Sequence, residues 1–400
     1  MKKILIIGAG FLQKFVIRRA KELGYYTLAV DANPSAEGFA FADQFKVVNI
    51  VDEKACLEYA IENEIDGVLT AATDYGVLTA SYIAQQMDLK GIEYEVAKVI
   101  KNKYQVRKKL YEAGADDTGC SYEISSEDEI CAVAKEIKFP VMVKPCDGSG
   151  SRGASRVDDV DGFKEACLLA MKSSLSKKVL VEPFIYGKEY GVESFVKDGE
   201  VNVLAVMGKV MTKPPYYAEL GHCVPNDLDN ATNQKIRDYV KKAINALGIN
   251  FGSVNMDLIV GQSGDVHIVD IGARMGGNLI GSHIVPMSTG VDYIGNMIKA
   301  HVNDEASFAA NGEINPVATR LLALTPGKVS QLPDFENIEQ TYGVTIEHHL
   351  NINDYINEYH TNLDGVGYVV AQKNNIEDAL KCAQEIRTYI DKKIVRESVE

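Results

Sequence analysis

The stretch that decides the fold is a lysine followed by a run of glycine and serine. The chain reads VMVKPCDGSGSRG over residues 141–153. Its apolar start predicts a buried strand, and Lys144 leaves that strand beside a loop rich in glycine. Glycine lets backbone N–H groups fold over phosphates, and the lysine is well placed to bind an α- or β-phosphate. The alternative for the loop, taken alone, is a surface hairpin turn.

A pair of acidic strands follows later in the chain. The segments NMDLIV at 255–260 and VHIVD at 266–270 flank a short turn, GQSG. Such a strand pair places Asp257 and Asp270 on one side. Facing carboxylates repel each other unless a cation lies between them, and oxygen ligands suit Mg²⁺. These two acids are therefore the predicted metal ligands.

An arginine and two glycines come directly after the second acid. Arg274 offers a guanidinium that clamps a carboxylate or a transferring phosphoryl group, which predicts a catalytic and substrate-binding role. A structural ion pair with a nearby acid is the alternative. The backbone N–H groups of Gly276 and Gly277 are expected to face the same anion.

The first 95 residues alternate apolar strands with amphipathic helices, which predicts a parallel α/β unit. Gly8-Ala9-Gly10 after the first strand imitates a dinucleotide fingerprint, but Gln13 stands where the third glycine belongs. An NAD-dependent oxidoreductase is therefore a minor alternative. Asp74 follows the fourth strand at the edge where ligands of such sheets bind, so it is a substrate-site candidate. The alternative is that Asp74 caps the helix beginning near Gly76.

The order and spacing of these segments resemble the ATP-grasp superfamily, and in particular L-amino acid ligases and carbamoyl-phosphate-synthase-like members. Members activate a carboxylate with ATP as an acyl phosphate and join it to an amine. The resemblance implies ATP and Mg²⁺, with Mn²⁺ as a substitute, small-molecule carboxylate and amine substrates, and a homodimer. It implies an α/β and α+β fold of three domains: a Rossmann-like pre-ATP-grasp domain (1–95), a two-lobed ATP-grasp domain (96–312, lid about 118–186) and a C-terminal α+β domain (313–400).

The resemblance also assigns roles to single residues. Glu182, Pro183 and Ile185 surround adenine, and Glu189 accepts hydrogen bonds from the ribose hydroxyls. Two exposed strand-end glutamates are the alternative. The expected phosphate ligands are Lys103, Lys144 and Lys209, with a loop cover from Ser149, Gly150 and Ser151. Lys144 is also expected to be catalytic, because it neutralises charge, and an ordinary exposed lysine is the alternative for Lys103. Glu219 and His222, in a Glu-x-Gly-His segment, are expected at the substrate pocket, with core packing as the alternative.

One position departs from the family pattern. Members more often have Glu at both acidic positions and continue Glu-x-Asn-x-Arg, whereas this chain reads DIGAR over residues 270–274. Gly272 has no side chain to donate, so we expect fewer protein ligands or a water in place of Asn. The number of Mg²⁺ ions stays open.

Two local predictions concern regular structure. The basic segment 94–113 predicts one continuous helix that ends at Gly114. The segment 208–225 is aromatic and rich in glycine and proline, which predicts an irregular stretch that lines a cavity.

Composition excludes several classes of protein. A net charge of −14 argues against a general nucleic-acid binder. No apolar run is long enough for a membrane span, and the N-terminus does not resemble a signal peptide, so cytoplasmic residence is expected. The seven cysteines form no Cys-x-x-Cys pair. Two further alternatives are a carboxylase-type enzyme that phosphorylates bicarbonate and a non-catalytic ATP-binding regulator.

Overall fold

The N-terminal region is a parallel sheet covered by helices, as the sequence predicts. The computed structural model describes residues 1–116, 121–148, 152–213, 217–310 and 312–397. The strands run in the order β3-β2-β1-β4. The elements are β1 (Lys3–Ile7), α1 (Lys14–Glu22), β2 (Tyr26–Asp31), β3 (Gln44–Val47), α2 (Glu53–Glu62), β4 (Gly67–Thr70) and α3 (Val77–Gln86).

The turn after β1 is filled by the side chain of Gln13. Its Nε2 donates a hydrogen bond to the carbonyl of Ala71 at 2.6 Å. Its Cγ and Cδ lie 3.5 Å from the point where a Cβ on Gly8 would stand, and Gly8 has a φ of +100°. The amide thus lies across the glycine turn, where a dinucleotide fingerprint has its third glycine.

The basic segment is two helices, so the prediction of one continuous helix is wrong. They are α4 (Tyr94–Lys101) and α5 (Lys103–Glu112), and Asn102 separates them with extended backbone. The Oδ1 of Asn102 accepts from the backbone N–H groups of Tyr104 at 2.9 Å and Gln105 at 3.2 Å. Asparagine competes for backbone hydrogen bonds in this way, and it begins a new helix here.

A small antiparallel sheet with two helices forms the region predicted to be the lid. Its strand order is β5-β8-β6-β7. The core between sheet and helices contains Val143, Phe163, Cys167 and Val181. The elements are β5 (Tyr122–Ile124), α6 (Glu127–Glu136), β6 (Val141–Pro145), β7 (Ser155–Val157), α7 (Phe163–Ser173) and β8 (Val179–Pro183).

The largest sheet has eight strands and runs from the central region into the C-terminal one. Its order is β13-β12-β9-β10-β11-β14-β18-β16. Its first part and the adjoining helices are β9 (Lys188–Lys197), β10 (Glu200–Met211), β11 (Glu219–Val224), α8 (Asn230–Leu247), β12 (Gly252–Val260), β13 (Val266–Gly272), α9 (Val285–Thr289), α10 (Tyr293–His301) and β14 (Val317–Leu321).

The C-terminal elements complete that sheet and add a small three-stranded one, β17-β15-β19. The strands after residue 312 therefore extend the central sheet across the predicted domain boundary. These elements are β15 (Gly327–Gln331), α11 (Phe335–Tyr342), β16 (Val344–His348), β17 (Tyr355–Ile356), β18 (Gly367–Gln372), α12 (Ile376–Lys393) and β19 (Val395–Arg396). Within the described ranges, no helix combines the length and apolarity that a membrane span requires.

The segment 208–225 is largely regular, so the prediction of an irregular stretch is wrong. β10 extends to Met211 and β11 begins at Glu219. Lys209 pairs with His222 across these strands, and β11 also pairs with β14. Neighbouring strands from distant parts of the chain supply the hydrogen bonds that the local composition does not suggest.

Replacing Asn102 by alanine should destabilise the protein, because two backbone N–H groups at the start of α5 lose their acceptor. We expect the free energy of unfolding to fall by about 1 kcal/mol in urea denaturation. Asn102→Ser keeps a side-chain acceptor and serves as the control. Equal stability of both variants and the wild type would contradict the capping role.

Candidate active site

A cavity of about 870 Å³ lies over one face of the eight-stranded sheet. Alternate residues of a strand point to the same side, which gathers charged and polar side chains on the cavity floor. Those on the floor are Glu189 from β9, Lys209 from β10, Asn255 and Asp257 from β12, and Asp270 from β13. The lid strands and the loop after β4 provide further walls.

Most of the predicted site residues meet in this cavity. Its lining includes Asp74, Lys103, Lys144, Glu182, Pro183, Ile185, Glu189, Lys209, Glu219, His222, Asp257, Asp270, Arg274 and Gly277. Ser149, Gly150 and Ser151 lie outside the described residues. An apolar part of the wall lies beside the predicted adenine segment and comprises Met142, Pro183, Ile185, Ile259 and Ile268.

A buried carboxylate holds two cations at the lid end of the cavity. Glu182 Oε1 lies 2.5 Å from Lys144 Nζ, and Glu182 Oε2 lies 2.7 Å from Arg107 Nε. Both cations also donate to the carbonyl of Val269, at 3.1 and 2.7 Å. Burial favours the neutral acid, but the charges of Arg107 and Lys144 outweigh it and hold the pKa of Glu182 at about 2.

Sequence reasoning missed Arg107, because Lys103 was the only cation of this segment to which it assigned a role. Arg107 is only 5% exposed. The signal was its position four residues after Lys103 on one helix, since residues at this spacing share a face.

Three carboxylates surround Lys209. Its Nζ lies 2.9 Å from Asp257 Oδ1 and 3.4 Å from Glu189 Oε2, and it also forms an ion pair with Glu219. Burial lowers the pKa of Lys209, but the carboxylates outweigh burial and raise it. Burial raises the pKa of Asp257 to about 6; Lys209 opposes the rise, while Glu219 and Glu189 add to it.

His222 lies next to this group and is only 1% exposed. Burial lowers the pKa of His222 to about 4, so its imidazole is neutral at pH 7. Its Nδ1 has no hydrogen-bond partner among the described residues. Its Nε2 lies 3.9 Å from Glu219 Oε1, so the ring adds a neutral polar group to the wall beside Glu219.

The two predicted metal ligands are direct neighbours across β12 and β13. Asp257 and Asp270 are register partners, and Asp270 forms an ion pair with Lys103. Within the described residues, no group of three His, Cys, Asp or Glu side chains is arranged for a metal. Two carboxylates still fit Mg²⁺, which usually takes one or two protein carboxylates and completes its octahedron with phosphate oxygens and water.

Arg274 forms an ion pair with an acid of the protein, the structural alternative to a catalytic role that the sequence left open. Its Nε and Nη2 contact the two oxygens of Asp74 at 3.0 and 3.2 Å, and its Nη1 donates to Asn255 Oδ1 at 3.2 Å. Both oxygens of Asp74 are thus engaged. Asp74 does not cap α3, because Gly76 precedes that helix without a side-chain cap.

Gly272 makes room for this pair. A Cβ on Gly272 would lie 2.8 Å from Asp74 Oδ1 and 3.1 Å from Arg274 Cζ. The Asp74–Arg274 pair therefore takes up the space into which an asparagine would project at this position.

Comparison with known proteins finds a family match for the central region. Residues 137–282 match the family model of the ATP-grasp domain. This segment carries the sequence pattern of that domain. It is 24% identical over 371 residues to the uncharacterized protein y4rH of Sinorhizobium fredii, covering 89% of this chain and 75% of that protein. A 139-residue segment is 32% identical to the ATP-grasp enzyme fsqD of Aspergillus fumigatus, covering 34% of this chain and 23% of fsqD.

The whole chain has the ATP-grasp fold. It superimposes on the crystal structure of L-amino acid ligase from Bacillus licheniformis with a TM-score of 0.83 at 21% identity, covering 100% of this chain and 99% of that one. The expected fold class is confirmed.

A buried acid on β9 corrects one expectation. Glu193 is fully buried and accepts from Tyr293 Oη at 2.5 Å, Asn255 Nδ2 at 3.0 Å and the N–H of Gly276 at 3.2 Å. The N–H of Gly276 is therefore used inside the protein and does not face the cavity. Burial raises the pKa of Glu193 to about 7. The sequence could have indicated Glu193, because residues 189, 191 and 193 lie on the same face of one strand.

The C-terminal region contributes to the far wall of the cavity. Glu219 accepts hydrogen bonds from the side chains of Asn278 and Asn362, the latter at 3.0 Å. Tyr368 Oη donates to Asn278 Oδ1 at 2.8 Å. Sequence reasoning missed Asn278 as a side-chain partner, Asn362 and Tyr368, and no local motif marks the last two.

Removing the charge of Glu182 should destabilise the protein, because Lys144 and Arg107 then lose their buried counter-ion. For Glu182→Gln we expect the free energy of unfolding at pH 7 to fall by about 3 kcal/mol. Since the folded pKa of about 2 lies below the ordinary 4.5, this difference from the wild type should shrink as pH falls below 4.5. Urea denaturation of the wild type and of Glu182→Gln at pH 7 and at pH 3 measures this difference in the free energy of unfolding. Glu397→Gln, which breaks an exposed pair with Lys328, should change stability little.

Proposed function

We propose that this protein is an ATP-dependent carboxylate–amine ligase. A carboxylate oxygen of the substrate attacks the γ-phosphorus of ATP, the bond to the β–γ bridging oxygen breaks, and ADP leaves. The amine nitrogen then attacks the carbonyl carbon of the acyl phosphate, phosphate leaves, and the nitrogen loses a proton. The product is an amide, formed with release of ADP and phosphate.

The observation that carries the proposal is the convergence of lysines and paired acids in one cavity of an ATP-grasp domain. Lys103, Lys144 and Lys209 come from three different elements and all line the cavity that contains Asp257 and Asp270. Several cations together with two carboxylates for Mg²⁺ match the needs of a bound triphosphate. Mg²⁺, when bound, would neutralise charge on the phosphate oxygens.

The apolar wall supports a position for the adenine. Met142, Pro183, Ile185 and Ile268 offer a slot for a flat, weakly polar ring between the lid and the sheet. We assign Glu189 to the ribose, since it lies on the floor next to this wall. The glycine-rich loop that contains Ser149, Gly150 and Ser151 would cover the phosphates.

The remaining part of the cavity suits a substrate with both an acid and an amine. Arg274 supplies a positive charge for a carboxylate or the phosphoryl group. Glu219 supplies a negative charge for an ammonium group beside the neutral His222. Amino acids carry both groups, and the likeness to a solved L-amino acid ligase supports the same class.

The chain's own residues position the reactants, and no side-chain nucleophile is required. Lys103 and Lys144 would bind phosphate oxygens and give up part of their contact with Asp270 and Glu182. Holding two reactants in a reactive geometry can lower the activation barrier by up to about 10 kcal/mol.

Phosphate release from MgATP tests the proposal directly. Amino acids are added singly and in pairs, and bicarbonate forms a separate arm. Release that requires an amino acid, together with an amide product in mass spectrometry, is the expected result. Release that requires bicarbonate alone would point to a carboxylase-type reaction, and ATP binding without release in any arm would contradict the ligase.

Arg274→Ala should abolish turnover and leave ATP affinity nearly unchanged, because the lost charge faces the transferring group. We expect phosphate release to fall by about 10²–10³-fold. Arg19→Ala, which removes a guanidinium from an ion pair with Asp292 outside the cavity lining, is the control. Full activity of Arg274→Ala would remove this residue from catalysis.

Glu189→Gln should chiefly weaken ATP binding, because a charged acceptor for the ribose hydroxyls becomes neutral. We expect the Kd for ATP to rise about tenfold or more in titration calorimetry. Glu200→Gln, at the far end of the adjacent strand, should bind ATP like the wild type. An unchanged Kd for Glu189→Gln would refute the ribose assignment.

A further inference from the structure

Glu193 is a buried carboxylate whose hydrogen-bond partners are all donors. Its Oε2 accepts from Asn255 Nδ2 at 3.0 Å, its Oε1 accepts from Tyr293 Oη at 2.5 Å, and both oxygens lie 3.2 Å from the N–H of Gly276. Among the described residues, no cation forms an ion pair with it. A fully buried acid without a paired cation is costly, so this one calls for a role beyond packing.

The side chain of Asn255 links this acid to Arg274. Its Nδ2 donates to Glu193, and its Oδ1 accepts from Arg274 Nη1 at 3.2 Å. A carboxamide has one donor end and one acceptor end, whereas a guanidinium has only donors. An ionised carboxylate only accepts, and a neutral one still keeps an acceptor oxygen. One orientation of the amide therefore satisfies both neighbours, and Glu193 fixes which end of Asn255 meets Arg274.

Glu193 also holds the backbone two residues after Arg274, at Gly276. A Cβ on Gly276 would lie 2.8 Å from Asn255 Nδ2 and 2.9 Å from Glu193 Oε2. A glycine is therefore needed at this position for the chain to approach the acid and the amide so closely. Two routes thus connect Glu193 to the arginine, one through the Asn255 side chain and one through the backbone.

We propose that Glu193 is a positioning residue for Arg274, which acts through the side chain of Asn255 and the backbone of Gly276. Glu193 does not line the cavity, so its effect on a substrate passes through these neighbours. Asp74 holds the guanidinium from one side and Asn255 from the other, which keeps its donors aimed. Misplacing a group by about 1 Å can cost about 10²-fold in rate. The kinetic consequence rests on the proposed ligase reaction, but the fixed orientation of the guanidinium does not.

Solvent exchange of the guanidinium N–H protons of Arg274, measured by heteronuclear NMR, tests the orientation without turnover. Glu193→Met removes the acceptor for Asn255, so we expect this exchange to become about tenfold faster or more. Tyr293→Phe removes a different donor from the same acid and leaves the link to Asn255 intact, so exchange should stay within about twofold of the wild type. The buried guanidinium of Arg107 is the internal control. Equal exchange at Arg274 in the wild type and Glu193→Met would overturn the proposal.

Two further variants keep the volume of the buried site. In Glu193→Gln the amide can donate to Tyr293 Oη and still present its oxygen to Asn255, so exchange at Arg274 should match the wild type. When Glu193→Gln is combined with Tyr293→Phe, the new amide gains an acceptor only if Asn255 turns over, which points Nδ2 at the guanidinium. We expect fast exchange in this double variant and in neither single one. Slow exchange in the double variant would contradict the positioning role even if Glu193→Met did not fold.

Turnover then measures what the orientation does for the reaction. Glu193→Met should lower kcat about tenfold or more and leave the Kd for ATP within about twofold of the wild type. Adding Glu193→Met to Arg274→Ala should lower kcat no further than Arg274→Ala alone, because residues that act as a unit are not additive. Losses that multiply would show that Glu193 acts independently of Arg274. If the wild type has no turnover, the proposed function fails, while the exchange measurement still decides whether Glu193 positions Arg274.

Discussion

The pairing of cations with carboxylates inside one cavity is the interaction on which the rest of the site depends. Glu182 holds Lys144 and Arg107, Asp270 holds Lys103, and Asp74 holds Arg274. Buried charges are tolerated only when they are compensated, so the ligand-free site neutralises most of its own charge. A bound triphosphate would have to take over part of these contacts. Its affinity would then be the difference between two sets of charge pairs.

The eight-stranded sheet makes this pairing possible. Strand periodicity puts alternate residues on one face, and the register of β12 and β13 sets Asp257 beside Asp270. The neighbouring strands β9 and β10 add Glu189 and Lys209 to the same face. The sheet then continues into the C-terminal strands, close to the segment that supplies Asn362 and Tyr368 to the far wall. One continuous sheet thus relates the end of the cavity that contains the proposed metal ligands to the end that we propose for the substrate.

Gly272 shows how one missing side chain changes the local chemistry. The family pattern has asparagine there, and a Cβ at this position would lie 2.8 Å from an oxygen of Asp74. In this chain the Asp74–Arg274 pair takes that space. Asn255 accepts a hydrogen bond from the guanidinium and in turn donates one to Glu193. Arg274 is consequently held in place by contacts from both the N-terminal region and the sheet, which favours a fixed charge over a mobile clamp.

The sequence alone determined the fold class, the parallel N-terminal sheet and the main charged residues of the cavity, because strand periodicity and the spacing of lysines, glycines and acids are local properties. It did not show the break at Asn102, the strands within 208–225, or the burial of Arg107 and Glu193. Those features depend on which distant segments pack together. Only the tertiary structure decided which acid neutralises which cation, since the partners Asp74 and Arg274 lie 200 residues apart in the chain.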